Sequence, residues 1–149
     1  MPVSDSLAAM IEGFAVVERI QVQWGDMDAL GHVNNARFFT WFETARISYF
    51  REIGFEADRS GGVGPILAHT SCDFLAPVEY PAEILAGARV TRLGRTSFHH
   101  EYVVVPSDRP GQPVARGTGV IVLYDYEAET SVPLPDGCRA RIEALDGLD

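Results

Sequence analysis

Residues 24–35 read Trp-Gly-Asp-Met-Asp-Ala-Leu-Gly-His-Val-Asn-Asn, and this stretch joins two segments with different periodicity. In residues 14–23, apolar and polar side chains alternate with a period of two, which predicts a β-strand. In residues 36–53, apolar side chains recur at helical spacing over a wide arc, which predicts a helix enclosed on most sides. The start of a buried helix offers unpaired N–H groups and a partial positive charge, so carboxylates beside it predict a reaction site.

The remainder of the sequence is dominated by strand patterns. Residues 58–65 are rich in glycine and predict a loop. Four strand-like runs follow, with turns containing proline or glycine between them, at residues 66–75, 84–93, 97–105 and 114–124. Such short connections predict an antiparallel sheet, and a short closing helix is predicted at residues 138–145.

This order of elements predicts an α+β fold, with a five-stranded antiparallel sheet packed against one long central helix. The length of 149 residues fits a single domain covering residues 1–149. Its core is expected over residues 14–125, followed by a short C-terminal tail. Because one sheet covers only one side of so apolar a helix, we expect an oligomer.

Composition excludes several classes of protein. The formal net charge of −9 argues against a general nucleic-acid binder. No apolar run approaches the ~20 residues of a membrane span, and the first 13 residues do not resemble a signal peptide. The two cysteines and the lack of a CxxC motif predict neither a disulfide framework nor a zinc site. We therefore expect a cytoplasmic protein.

Two groups of residues resemble the signature of a known family. The first is Asp26-x-Asp28-x-x-Gly31-His32-Val33-Asn34-Asn35-x-x-Phe38, followed by Trp41-Phe42-Glu43-Thr44-Ala45-Arg46. The second, less specific, comprises residues 92–98 and Ala115-Arg116-Gly117-Thr118-Gly119. Both resemble the hotdog-fold acyl-CoA thioesterases, and most closely the 4-hydroxybenzoyl-CoA thioesterase-like family.

The resemblance implies a hotdog fold, in which the sheet wraps around the helix. It also implies a homodimer or homotetramer whose subunits join sheet edges and share active sites at their interface. No metal and no prosthetic group is implied, and coenzyme A enters as part of the substrate.

The resemblance assigns catalysis to the second acid of the signature, so we predict Asp28 as the catalytic carboxylate. It could attack the thioester carbonyl directly, or act as the general base for a water molecule. We assign Asp26, the first acid of the signature, to the loop or to the subunit contact.

The predicted helix start supplies the other half of the reaction site. Backbone N–H groups near Asn34 and Asn35 could hold the thioester oxygen as negative charge develops, and the resemblance assigns this role to Asn35. The side chains of both residues also suit capping and loop hydrogen bonds. Gly31 is expected to allow the tight turn before the helix. His32 is a candidate catalytic acid or base, or a structural hydrogen-bonding residue.

Five residues are predicted to contact the substrate: Gly31, Asn34, Phe38, Arg92 and Arg95. Phe38 could line an acyl pocket or belong only to the core. Arg92 and Arg95 bracket a turn, and arginine offers a planar fork of donors for the phosphates of coenzyme A. Glu43 and Arg46 stand three residues apart on the helix and are expected to form an ion pair, within one chain or across a dimer.

The leading hypothesis is a thioesterase that hydrolyses an acyl- or aroyl-CoA to the free acid and coenzyme A. An acyl-carrier-protein thioesterase is the first alternative, favoured by the His-Val-Asn-Asn segment but weakened by the acidity of both proteins. A non-catalytic acyl-CoA-binding protein and a hotdog dehydratase are the remaining alternatives.

Overall fold

The computed structural model describes residues 7–55 and 62–148. Part of the predicted loop, residues 58–61, lies outside them. The strands are β1 (Val16–Gln21), β2 (Val63–Phe74), β3 (Glu83–Leu93), β4 (Ser97–Pro106), β5 (Ala115–Asp125) and β6 (Thr130–Ser131). The helices are α1 (Asn35–Glu52) and α2 (Asp136–Asp146), and a 3-10 turn covers Trp24–Asp26.

The described strands form one antiparallel sheet in the order β1-β3-β4-β5-β2, with β6 paired to the end of β5. The antiparallel α+β architecture is confirmed, but the sheet has six strands rather than the predicted five. β6 is only two residues long, too short for a period of two to be read from the sequence. β2 also begins three residues earlier than predicted, and its Pro65 lies in an edge strand, where proline is tolerated.

Helix α1 packs on one face of the sheet and begins and ends within one residue of the predicted bounds. Its buried side chains are Phe38, Trp41, Phe42, Ala45, Arg46 and Tyr49. They meet alternate residues of β3 and β4, because successive side chains of a strand point to opposite faces. Ile84, Ala86 and Ala88 face the helix on β3, as do Phe98, Tyr102 and Val104 on β4.

The opposite face of the sheet is partly covered by the N-terminal segment. Leu7, Ile11 and Phe14 form a second apolar cluster with residues of β1, β3 and β4. Phe14 was predicted to open the first strand, but β1 begins only at Val16. The chain turns at Gly13, whose φ is +84°, and this turn places Phe14 on the outer face of the sheet.

Helix α2 closes the core at the C-terminal end. Cys138 and Ile142 are buried, so the core extends past residue 125 and the predicted tail is part of the packed structure. The hydroxyl of Tyr49 on α1 donates to the carboxylate of Asp146, which also accepts the backbone N–H of Val90 at 2.8 Å. Among the described residues, no helix is long and apolar enough to cross a membrane.

Candidate active site

The signature folds into a small hairpin, residues 26–34, which we call the carboxylate hairpin. Met27 pairs with Val33, the N–H of Asp28 donates to His32 O at 3.0 Å, and the N–H of Asn34 donates to Asp26 O at 2.9 Å. At the tip, the N–H of Gly31 donates to Asp28 O at 3.1 Å with a φ of +83°. A glycine adopts this left-handed conformation without strain, so the predicted role of Gly31 in a tight turn is met.

Asp28 lies at the tip of the hairpin and is exposed. Its Oδ1 accepts the backbone N–H of Leu30 at 2.9 Å, a local bond that aspartate commonly makes in turns. This bond fixes the carboxylate relative to the hairpin backbone. The structure therefore presents an oriented acid to solvent.

The start of α1 follows the hairpin directly. Asn34 is the N-cap, and its side-chain Oδ1 accepts the N–H of Ala36 at 2.9 Å. Its carbonyl accepts the N–H of Arg37 at 2.9 Å. Among the described residues, none accepts the N–H of Asn35, so that donor is available to a ligand. Asn34 pairs with Asp26, so Asp28 lies two residue steps, about 7 Å along the hairpin, from the N-cap of the helix.

The side chain of His32 contacts Glu79, whereas its backbone carbonyl pairs with Asp28. Its Nε2 lies 3.4 Å from Glu79 Oε1, and both side chains are exposed. The neighbouring N–H of Val33 donates to Val78 O at 2.7 Å. These contacts tie the hairpin to the segment before β3, which favours the structural alternative for His32.

Phe38 is buried, with only 2% of its surface exposed. Its ring packs 4.8 Å from that of Trp41 and edge-on to Phe74 at 5.2 Å. Within one chain, Phe38 therefore belongs to the core and lines no accessible pocket. Apolar side chains that are exposed at this end of the sheet are instead Trp24, Leu30, Phe74, Leu75 and Tyr80.

Arg92 and Arg95 lie far from the carboxylate hairpin. The first residue of β3, Glu83, pairs with Gln21, three residues before the 3-10 turn. β3 then runs for 11 residues, about 35 Å, before it reaches the turn that holds Arg95. One chain does not bring these arginines to Asp28. Arg37, Arg109 and Arg116 are cations on the hairpin's side of the sheet, and of these only Arg116 was considered as a phosphate ligand from the sequence.

A buried polar network runs from α1 into the core. The predicted ion pair is confirmed, with Arg46 Nη2 3.9 Å from Glu43 Oε2. Arg46 Nη1 also donates to Tyr102 Oη at 3.1 Å, and this oxygen lies 3.0 Å from His100 Nδ1. Nε2 of His100 is buried and finds no partner among the described residues. Burial, aided by the charge of Arg46, lowers the pKa of His100 to about 3.

No role for His100 was predicted, although its place in β4 could have been read from the sequence. Phe98, His100 and Tyr102 alternate along β4, and the two aromatic residues predict an inward face. No group of three or more His, Cys, Asp or Glu side chains within residues 7–55 and 62–148 is arranged to hold a metal ion.

Comparison with known proteins gives consistent matches over most of the chain. The family model of the thioesterase-like superfamily matches residues 22–142. The uncharacterized protein YsmA of Bacillus subtilis strain 168 is 26% identical over 123 residues, covering 83% of this chain and 82% of YsmA.

Two solved structures are similar at higher identity. A thioesterase of Thermus thermophilus, complexed with coenzyme A and Zn, is 39% identical with a TM-score of 0.77, covering 92% of this chain and 98% of that one. The PA5185 protein of Pseudomonas aeruginosa PAO1 is 32% identical with a TM-score of 0.79, covering 90% and 93%.

Proposed function

We propose that this chain, which belongs to the thioesterase-like superfamily, is an acyl-CoA thioesterase that uses Asp28 as its reacting carboxylate. The observation that carries the residue assignment is the placement of an exposed, oriented carboxylate beside a helix start with an unused N–H. The similarity to a thioesterase that was solved with coenzyme A supports the substrate class.

The chemistry needs two groups at the thioester carbonyl. The N–H of Asn35 donates to the carbonyl oxygen, where negative charge develops as the tetrahedral intermediate forms. Asp28 either attacks the carbonyl carbon to give an anhydride that water then cleaves, or removes a proton from an attacking water. In both routes the C–S bond breaks, the thiolate of coenzyme A leaves and gains a proton, and the acid is released.

The proposal needs no resident metal or prosthetic group, and coenzyme A takes part only as a portion of the substrate. Arg92 and Arg95 remain our candidates for its phosphates, now as residues supplied across a subunit interface. A cytoplasmic location remains a prediction from the sequence.

We further propose the hotdog dimer, in which sheet edges pair and the sheet wraps around the helices. β2 is an edge strand of 12 residues, and an edge presents unpaired N–H and C=O groups. A cleft of about 200 Å³ lies between β2 and α1. Its lining residues are Phe39, Thr40, Glu43, Arg46, Leu67 and Thr70. A second subunit paired to β2 would close this cleft and complete the active site.

An acyl-carrier-protein thioester is the second candidate substrate, supported by the His-Val-Asn-Asn segment. Carrier proteins are acidic, and a net charge of −9 would repel them. We therefore rank acyl-CoA first and keep a binding-only protein as the third candidate.

The test is thiol release from a panel of short, long and aromatic acyl-CoAs by the native protein and by Asp28→Asn. We expect turnover by the native protein, and a loss of at least about 10³-fold in the variant, because the amide neither attacks nor accepts a proton. The oligomer and melting temperature should be retained. Binding of acyl-CoA without thiol release would contradict the proposal.

A further inference from the structure

We propose that Asp26 and Arg37 form a positioning clamp that sets the distance between Asp28 and the start of α1. Asp26 lies at the foot of the carboxylate hairpin, and Arg37 lies in the first turn of the helix. The inference rests on the proposed function, because the clamp matters only if the carboxylate and the helix N–H act on one substrate.

Asp26 is the better anchored of the two acids in the signature. Its side chain is 14% exposed. Its Oδ2 accepts the N–H of Gln23 at 2.8 Å, and its Oδ1 lies 3.5 Å from Arg37 Nε. Its carbonyl also accepts the N–H of Asn34, the helix N-cap. One residue therefore contacts the 3-10 turn, the returning limb of the hairpin and the helix.

These contacts cross the joint between the carboxylate hairpin and α1. The hairpin holds its own shape through the Met27–Val33 pairing and the Asp28–His32 bond. It continues into α1 through Asn34, where the chain passes from an extended residue into the helix. The bond from Asn34 to Asp26 and the Asp26–Arg37 pair both cross this joint. Together they fix the angle at which the hairpin tip, and with it Asp28, faces the N–H of Asn35.

The clamp should affect rate far more than stability. Arg37 is 49% exposed, and ion pairs with so much solvent access stabilise a fold by only ~0–1 kcal/mol. Reaction rates are much more sensitive, because a displacement of about 1 Å can cost about 10²-fold. A small structural change at this joint should therefore lower kcat while it leaves the melting temperature nearly unchanged.

The experiment compares Asp26→Asn, Arg37→Gln and the double variant with the native protein, using an acyl-CoA that the native protein hydrolyses. Arg19→Gln is the matched control, because Arg19 pairs with Glu83 at a similarly exposed site on the sheet edge. We expect kcat to fall by about 10–100-fold in each single variant, with KM within about threefold and the melting temperature nearly unchanged. The double variant should be no slower than the slower single variant, and Arg37→Lys should recover part of the loss.

Three results would overturn the clamp while leaving the thioesterase assignment in place. The first is an unchanged kcat in both single variants. The second is a loss of kcat in Asp26→Asn as large as that in Asp28→Asn, together with an unchanged kcat in Arg37→Gln. This result would mean that Asp26 reacts directly. The third is a rise in KM for acyl-CoA in Arg37→Gln that vanishes with an N-acetylcysteamine thioester, which would make Arg37 a phosphate ligand. Absence of thiol release by the native protein overturns both proposals.

Discussion

Asp26 and Asp28 are identical side chains two residues apart, and their surroundings give them different roles. In a regular extended chain this spacing would place both side chains on one face, but Asp26 ends the 3-10 turn and its carboxylate makes other contacts than that of Asp28. Asp26 is largely covered and accepts from the Gln23 backbone, whereas Asp28 is exposed at the turn. The exposed acid is the more accessible of the two to a substrate, and the choice of Asp28 as the reacting acid stays a prediction.

His100 predicts a pH dependence of stability. Burial lowers its pKa to about 3, against about 6.5 in the unfolded chain, so the unfolded state binds more protons between these values. The contribution of His100 to stability is therefore fully present above pH 6.5 and is lost as the pH falls toward 3. Between pH 6.5 and 5, we expect the free energy of unfolding to fall by about 2 kcal/mol from this group.

Urea unfolding of the native protein and of His100→Phe at several pH values measures this dependence. The phenylalanine fills the site without titrating, so its stability should vary less with pH over this window. Arg46 is the charged group that faces His100, and Tyr49, Tyr102 and Phe98 surround the ring. Parallel pH profiles for the two proteins would show that His100 does not bind protons differently on unfolding.

At the scale of elements, the bounds of an element could be predicted from the sequence where a single pattern was long and local. The bounds of α1 were predicted to within one residue, because its apolar spacing runs over 18 residues and Asn34 is a strong N-cap. The start of β2 was missed because Gly64 and Pro65 are turn-forming residues, and only the edge position of the strand makes them acceptable. The distance of Arg92 and Arg95 from Asp28 depends on how β3 pairs with β1, and no local sequence pattern specifies that pairing.

Close contacts of β5, with α1 at one position and with a β4 side chain at another, explain two glycines of the second signature group. A Cβ on Gly117 would lie 2.3 Å from the ring of Phe42 and 2.6 Å from the backbone oxygen of Ser71. A Cβ on Gly119 would meet the hydroxyl of Tyr102 at 2.6 Å. The helix therefore approaches β5 closely because Gly117 has no side chain, and Gly119 leaves room for the ring of Tyr102 on β4.

We predict that Gly117→Ala destabilises the fold by about 3 kcal/mol, because neither the buried Phe42 ring nor the Ser71 backbone has room to move. Gly111→Ala is the control, since a Cβ there meets no atom within 4 Å, and its effect should stay within about 0.5 kcal/mol. The measurement is the urea midpoint of each variant at constant slope. Similar midpoints for Gly117→Ala and the control would refute the close approach of α1.

At the scale of the whole molecule, the two ends of the sheet carry different parts of the proposed site. The carboxylate hairpin lies beside the start of β3, while Arg92 and Arg95 follow about 35 Å further along. If both sets contact one acyl-CoA, a second subunit must bring the arginines of one chain to the carboxylate of the other. The predicted substrate contacts therefore require the proposed dimer.

The dimer is testable at the edge of β2. Leu67 is 40% exposed on this strand and lines the cleft beside α1. In Leu67→Glu, pairing of two β2 edges would bury like charges, so we expect a monomer by light scattering at concentrations where the native protein is a dimer or tetramer. Turnover should fall with dissociation, and higher protein concentration should restore part of it by mass action. Ala128→Glu, in the exposed turn between β5 and β6, adds the same charge outside the cleft and should keep both assembly and activity. A native protein that is monomeric yet fully active would contradict the shared active site, and an unaltered oligomer in Leu67→Glu would move the interface to another surface.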